Sequence, residues 1–296
     1  MANGYGHTTQ LMTIPYLTLE EYKSAPTAID LDNLVFNSQD PDVQDAELHN
    51  VITRASSWID TYCNQVIGAT LETEQQRSRI STDGSIRLHP RFSPIIALTD
   101  FNYGYPTNMA ALGDCSVAWI EDSEIIIPNA TLGSWTSQGP LSFGSYNGGP
   151  SNQVFLKYTY VAGYTNTVIV VAVAGASSLT VEDGTGVTIG QMLTIYDGMN
   201  TEHVTVADTY VFGSTTIPLT RVLVSDHLPG TSISALPPAI KEAAILITTA
   251  FLKVRGDSSM TMMVTTSPTI ATPGSEKYGD ELALATRLLS SYRRVR

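Results

Sequence analysis

Residues 40–68 read DPDVQDAELHNVITRASSWIDTYCNQVIG, and the fold class turns on that stretch. Leu48, Val51, Ile52, Ala55, Trp58, Ile59, Tyr62, Cys63 and Val66 recur three and four residues apart, which places them on one side of a helix running from Pro41 to about Ile67. Asp40 carries an N-cap side chain, and Pro41 suits the first helical position because the N–H it lacks has no partner there. Asp42 and Asp45 put negative charge at the positive end of the helix dipole. Gly68 supplies a stop. A long helix with one apolar face needs other elements to cover that face.

Upstream, residues 1–15 read as an arm. In YLTLEEYKSAP (Tyr16 to Pro26), Thr18 and Glu21 form a capping box and Pro26 closes a short helix. Downstream, from Arg77 to Tyr105, the period changes to two. Ile80, Ile86 and Leu88 flank Asp83-Gly84, a hairpin signal, and Pro94 to Tyr103 gives another strand. Val117 to Ile120 and Glu124 to Ile127 form a second hairpin. Residues 129–152, rich in Gly, Ser, Asn and Pro, read as a loop, and Val154 to Tyr160 as a strand.

Residues 165–235 change texture to Thr, Val and Gly, with strands at Val168–Val173, Ser178–Val181, Met192–Tyr196, Glu202–Ala207 and Thr216–Leu219. Asp183-Gly184 and Asp197-Gly198 mark turns. That is a small all-β module of sandwich or barrel type. Helical texture returns at Pro237-Pro238, with Ile240, Ala243, Ala244, Ile247, Phe251 and Val254 on one side and Gly256 at the end. A linker over 257–274 precedes a last helix, Glu276 to Arg294, whose stripe is Tyr278, Leu282, Ala285, Leu288, Leu289 and Tyr292. The expected fold is α+β: a helical core with a small antiparallel sheet, interrupted by an inserted β module. The expected divisions are 1–164, the inserted module 165–235, the returning helix 236–256, and a linker with a C-terminal helix over 257–296.

Composition narrows function. The net charge is −12, which argues against broad affinity for DNA, since that rests on Lys and Arg against phosphate. The charge is uneven: no acid follows Glu281, whereas Arg287, Arg293, Arg294 and Arg296 do. Cys63 and Cys115 stand in no metal or redox spacing, and Cys63 reads as a buried free thiol. The start MANGYGHTTQ lacks the basic and apolar regions of a signal peptide, and the apolar run Val168 to Ala174 falls far short of the roughly 20 residues of a membrane span. Cytoplasmic synthesis and assembly, with no membrane contact, are the expectation.

Catalytic patterns are missing. His7, His49, His89, His203 and His227 are scattered. Ser142, between Gly139 and Gly144, does not fit Gly-x-Ser-x-Gly. Gly184, Gly186 and Gly190 do not fit a dinucleotide fingerprint and lie among β turns. Asp183, Asp197 and Asp208 sit in turns, where turn chemistry accounts for them as well as calcium would. No enzyme activity, cofactor or metal is expected.

The order of segments resembles the head–tail connector, or adaptor, family of long-tailed double-stranded DNA bacteriophages. YLTLEE (16–21), the long helix with Ala55, Ile59, Asp60 and Tyr62, RFSPIIALTD (91–100), YVAGY (160–164) leading to LPPAIKEA (236–243), and LLSSYRRVR (288–296) carry the resemblance over about two thirds of the chain. The 165–235 module is a departure. TGVTIGQMLTI, a Glu-x-Val strand and a His-x-x-Gly ending at Gly230 resemble a β module grafted into assorted phage and surface proteins. The family resemblance implies a connector core and a ring of identical subunits, dodecameric in the family. The ring docks beneath the portal protein, meets a head-completion (stopper) or tail-completion protein, and passes DNA without binding it specifically. It implies a place in the virion at the head–tail interface, with assembly in the host cytoplasm. It also implies that the C-terminal segment docks on the portal, through Tyr278, Leu282, Leu288, Leu289, Tyr292, Arg293, Arg294 and Arg296. Own-core packing of that helix, with the basic tail complementing a helix C-terminus, is the other reading. Arg77, Arg79, Arg87 and Arg91 line the two arms of the first hairpin, either as a subunit or DNA contact or as a solvated sheet face. Tyr103, Tyr105 and Trp135 are either inter-subunit anchors or packed within the subunit. A contrasting reading of the whole makes the β module a virion-surface binder of glycan or protein.

Overall fold

The long helix forms as the spacing predicts, from Pro41–Cys63 (α2), with the Asp40 side chain accepting from the Asp42 N–H and Pro41 in the first turn. It ends a turn earlier than expected. Asn64, not Gly68, takes the left-handed conformation, at φ 55°, and its N–H bonds back to the carbonyls of Asp60 and Thr61. Asn adopts that region at little cost, so it serves as a stop. Leu48, Val51, Ile52, Ala55, Ile59 and Cys63 are buried. Trp58 is half-buried, stacked on Tyr62 at 5.4 Å. Val66 lies beyond the helix.

The computed structural model describes residues 8–9, 14–27, 29–32, 34–35, 38–79, 81, 85–105, 108–121, 123–128, 153–256 and 273–294. The expected 129–152 loop and 257–272 linker lie outside them. The class is α+β, with helices and antiparallel sheets. The chain divides into two compact units, residues 1–11 with 69–164, and residues 12–68 with 165–296.

The first unit is β-rich. Its five-stranded antiparallel sheet orders Thr8–Thr9 (β1), Thr70–Arg79 (β2), Gln153–Ala162 (β8), Ile95–Tyr105 (β4) and Asn108–Ala111 (β5) as β1-β2-β8-β4-β5. A second sheet orders Ile86–Leu88 (β3), Trp119–Glu121 (β6) and Glu124–Ile127 (β7) as β3-β7-β6. The β6–β7 hairpin is as expected. The first hairpin is not: its two arms belong to different sheets, β2 pairing with β8 and β3 with β7. Among the described residues, the Ser81 N–H donates to the Ser85 carbonyl at 2.9 Å and Ser78 Oγ to the Arg87 carbonyl at 3.2 Å, which still tie the two arms together. Alternation in sequence identifies strands but not partners, and β8 offers β2 a ten-residue ladder. The strand also starts seven residues before the expected Arg77, because its inward positions are the polar Thr70 and Glu72. Both sheets share one core that includes Ile86, Leu88, Phe101, Ile125, Ile127, Leu156, Tyr158 and Tyr160. Each such side chain taken fully from water contributes roughly 1.5–3 kcal/mol.

The second unit joins the helices and the β module. Leu19–Ser24 (α1) begins with the expected reciprocal capping box of Thr18 and Glu21. Pro238–Gly256 (α3) buries Ile240, Ala243, Ala244 and Ile247, and Pro273–Leu289 (α4) packs on α3 and α2. The module is a six-stranded antiparallel sheet formed by Asn166–Val171 (β9), Ser178–Val181 (β10), Met192–Tyr196 (β11), Glu202–Thr205 (β12), Thr216–Pro218 (β13) and Ser232–Ser234 (β14), in the order β12-β11-β14-β9-β10-β13. β14 is an addition to the sequence reading. Its three residues are all buried, two of them serines, and give no alternation. The module has its own core, including Ile169, Val181, Leu193, Ile195, Ile217 and Ile233. The Asp183-Gly184 turn needs glycine for space. A Cβ there would stand 2.2 Å from the Ser214 carbonyl oxygen, where Tyr210 Oη donates at 2.9 Å to the same oxygen. Among the described residues no helix is long and apolar enough to cross a membrane.

Candidate functional site

Its stripe and its arginines single out the C-terminal helix. Ala285 and Leu289 are fully buried within the unit, Leu282 and Leu288 are half-buried, and Leu284 is 47% exposed. The α4 helix is fastened to its neighbours by side chains, once at its backbone and once at a side chain. Tyr62 Oη donates to the Thr286 carbonyl at 3.1 Å, and Lys253 of α3 pairs with Glu281. The Lys253 bond holds the Glu281 carboxyl below its usual range, against a smaller upward pull of burial.

After α4, a turn over Ser290–Tyr292 leads the chain across the C-terminal end of α2. The Arg294 N–H donates to the Cys63 carbonyl at 2.9 Å, Asn64 Nδ2 to the Arg294 carbonyl at 3.2 Å, and Gln65 Nε2 to the Tyr292 carbonyl at 3.3 Å. The Arg293 guanidinium lies 5.4 Å from the Tyr62 ring centre. The tail thus meets the end of a helix whose last carbonyls lack intrahelical partners and whose dipole favours cations. Arg287 and Arg293 are exposed and Tyr292 is half-buried. The side chain of Tyr278, and Arg296 altogether, lie outside the described residues.

The four arginines of the first unit do not share one surface element. Arg77 and Arg79 belong to β2, Arg87 to β3 of the other sheet, and Arg91 to the bend that follows. Arg87 Nη1 stands 3.4 Å from Glu124 Oε2, Arg91 covers the Phe92 ring, and the Arg91 N–H donates to Glu74 at 2.9 Å. The same Glu74 carboxylate accepts from Tyr158 at 3.1 Å and Tyr160 at 2.6 Å. Tyr103 packs on the core of its own unit, stacked with Phe101 at 5.9 Å. Tyr105 ends β4, and Trp135 lies outside the described residues.

Three buried polar constellations escaped the sequence reading. In the first, Tyr16 Oη donates to Asp60 and accepts from the Ile67 and Gly68 N–H groups at 2.9 and 3.1 Å. Burial pushes the Asp60 carboxyl up to about 7, against the downward pull of the Tyr16 and Ile67 bonds. Burial, and then Asp60, push the Cys63 thiol up to about 12, so it is a core group and not a nucleophile. In the second, Lys241 of α3 is buried against Glu21 of α1 at 2.7 Å and Ser232 of β14 at 3.0 Å, over the Tyr196 ring at 4.4 Å. Burial draws its pKa down while Glu21 opposes the shift. In the third, His227 sits with its side chain at 0% exposure between two carboxylates, Nδ1 at 2.8 Å from Asp197 and Nε2 at 2.7 Å from Glu202. Both contacts are hydrogen bonds only when each ring nitrogen carries a proton. An imidazole closed off on both sides joins loops and has no free nitrogen for a substrate. Asp197, Glu202 and His227 each stand in a segment the sequence marks as turn, strand or His-x-x-Gly, but spacing along the chain does not reveal that they meet. Asp183 accepts from the Thr185 N–H at 2.8 Å, as a turn aspartate does. Among the described residues no three of His, Cys, Asp and Glu are disposed to hold a metal ion.

No family model matches the chain, and no curated protein is significantly similar to it. Among solved structures, the neck of an empty GTA particle computed with C6 symmetry is similar in outline, with 11% identity over 96% of this chain and 97% of that one and a TM-score of 0.37. So loose a likeness carries no functional argument.

Proposed function

We propose that this chain is a structural protein of a tailed-phage particle, a connector subunit that forms a ring beneath the portal, extends the DNA channel and joins the head to the tail, and that it catalyses no reaction. The observation that carries the reading is the order of sequence segments from YLTLEE to LLSSYRRVR, interrupted by one β module. Its geometry is compatible with mechanical work. The acidic composition gives a passing duplex little to hold. The docking surface in this reading is the C-terminal segment, with Leu282, Leu288, Tyr292 and the arginines. Its last residues are held mainly by hydrogen bonds between main-chain and amide groups at the end of α2, bonds that a partner can replace. Portal docking then exchanges an intramolecular seat for an intermolecular one.

The test is the mass in solution of the purified protein, alone and with portal rings, by light scattering on a sizing column. A stoichiometric complex that is lost when residues 275–296 are removed supports the reading. No association at any salt concentration refutes it. A second reading, a virion-surface binding module, is favoured by one observation: the β module exposes large apolar side chains on its loops, with Met199 at 104%, Val224 at 79% and Leu228 at 76% relative exposure.

A further inference from the structure

We propose that a groove in the second unit is a docking site for a basic, aliphatic-bearing peptide segment of a separate protein partner. The groove, about 680 Å³ in volume, runs between the segment leading into α1, α1 itself, and the 196–198 and 228–231 stretches of the β module. Its apolar lining includes Ile14, Leu17, Leu19, Val168, Leu228 and Pro229. The aliphatic surface continues outward, since Leu228 is 76% exposed and Met199, beside the lining Gly198, is fully so. Large exposed apolar side chains grouped beside a concavity mark a contact surface.

That surface is held in shape before any partner arrives. Glu202 accepts the Val224 N–H at 3.1 Å and the Ser225 N–H at 3.3 Å and holds His227, which also grips Asp197 next to the Gly198–Asn200 turn. The Leu228 loop and the Met199 turn are therefore fastened to one another through one imidazole. Preorganised loops lose less entropy on binding.

The identity of the occupant follows from charge. Glu20, Glu21, Glu182 and Asp197 line the groove together with His49, and no Lys or Arg does among the described residues, so carboxylates outnumber the one imidazole. Glu21 is matched by Lys241 and Asp197 by His227. Glu20 is not closely matched, with a side chain 87% exposed and its Lys23 partner 3.8 Å away. Glu182 stands at an exposed position. An aliphatic floor edged by two solvent-facing carboxylates complements a cation flanked by aliphatic groups. The sign excludes a nucleic acid. The groove is open to solvent and has room for several side chains, which suits a peptide better than an enclosed small molecule.

The inference is independent of the connector reading and has a separate test. A fluorescein-labelled synthetic peptide with the sequence of residues 286–296, used as a basic-aliphatic probe, is titrated with the intact protein by anisotropy. Saturable binding is expected, weakened at least tenfold by Glu20→Lys with Glu182→Lys, weakened also by Leu228→Asp, and unchanged by Glu121→Lys in the other unit. All these positions are exposed, and circular dichroism checks that each variant is folded. Absence of saturable binding overturns the proposal. Equal weakening by Glu121→Lys does so too, because the probe would then be responding to overall charge. Self-association of the wild-type protein that the double reversal abolishes assigns the groove to a second copy and overturns the separate-partner assignment.

Discussion

Replacing Asp60 by Asn isolates one buried carboxyl. The amide oxygen that Asp60→Asn introduces can still accept from Tyr16 Oη and from the Ile67 N–H, as the Asp60 oxygen does. What changes is titration. Asp60 is raised to about 7 in the folded chain, mainly by burial, against about 3.9 unfolded. Between those values the native state holds a proton that the unfolded state has released, so stability falls as pH rises. The contribution is fully present below pH ~4 and is lost as pH passes ~7. A shift of about three units at ~1.4 kcal/mol each sets an upper bound near 4 kcal/mol, reduced wherever water reaches the site. The Asp60→Asn variant should therefore match the wild type near pH 4 and exceed it by about 2–4 kcal/mol at pH 8. Urea unfolding at pH 4, 5, 6, 7 and 8 measures this, followed through Trp58 with Trp119 and Trp135 replaced by Phe. Trp58 stacks on Tyr62 in the same helix, so it reports the unit in question. Glu72, also raised to about 7 mainly by burial, belongs to the other unit and cancels in the comparison. A difference that stays flat from pH 4 to pH 8 refutes the buried, proton-holding carboxyl.

Tyr16→Phe strands the Gly68 N–H without its hydroxyl acceptor, leaves the Ile67 N–H only its longer bond to Asp60, and should cost about 1–3 kcal/mol of unfolding free energy in urea titrations. Lys241→Ala leaves the Glu21 carboxylate buried and unpaired, a loss of about 3–5 kcal/mol, whereas Lys241→Met with Glu21→Gln should recover most of it in thermal melts. Gly184→Ala forces a Cβ onto the Ser214 carbonyl and should lower module stability by about 1–3 kcal/mol, seen as faster amide exchange of β10 and β13.

Where periodicity was strong, the sequence could be read directly. The α2 stripe, the Thr18–Glu21 box and the β10 and β11 strands needed no partner to be recognised. Strand pairing was harder. Asp83-Gly84 suggested a hairpin, but turn chemistry cannot tell that β2 pairs more extensively with β8. β2 and β14 were obscured because Thr70, Glu72, Ser232 and Ser234 occupy buried positions where a pattern search expects apolar residues. The C-terminal helix was legible as a helix from its stripe. Its seat on α2 was not, because Asn64, Gln65 and Cys63 reach it through polar and main-chain groups that leave no trace in hydropathy. The groove draws on α1 and on two β-module segments, so only the fold brings its parts together.

The second unit is built from two lengths of chain with the first unit's strands between them, and this sets a timetable for synthesis. Tyr22 and Thr249, hydrogen-bonded at 3.0 Å, lie 227 residues apart. At roughly 5–20 residues per second, α1 and α2 wait on the order of 10–45 s after leaving the ribosome before α3 exists to cover them. During that interval the first unit can complete its sheets, as its last strand is translated earlier. The apolar stripe of α2 is the segment that a holding chaperone would meet on the nascent chain. A stall placed just before codon 237, with β8 well clear of the ribosome, should therefore yield a chain with protected β2–β8 amides and an α2 still open to protease.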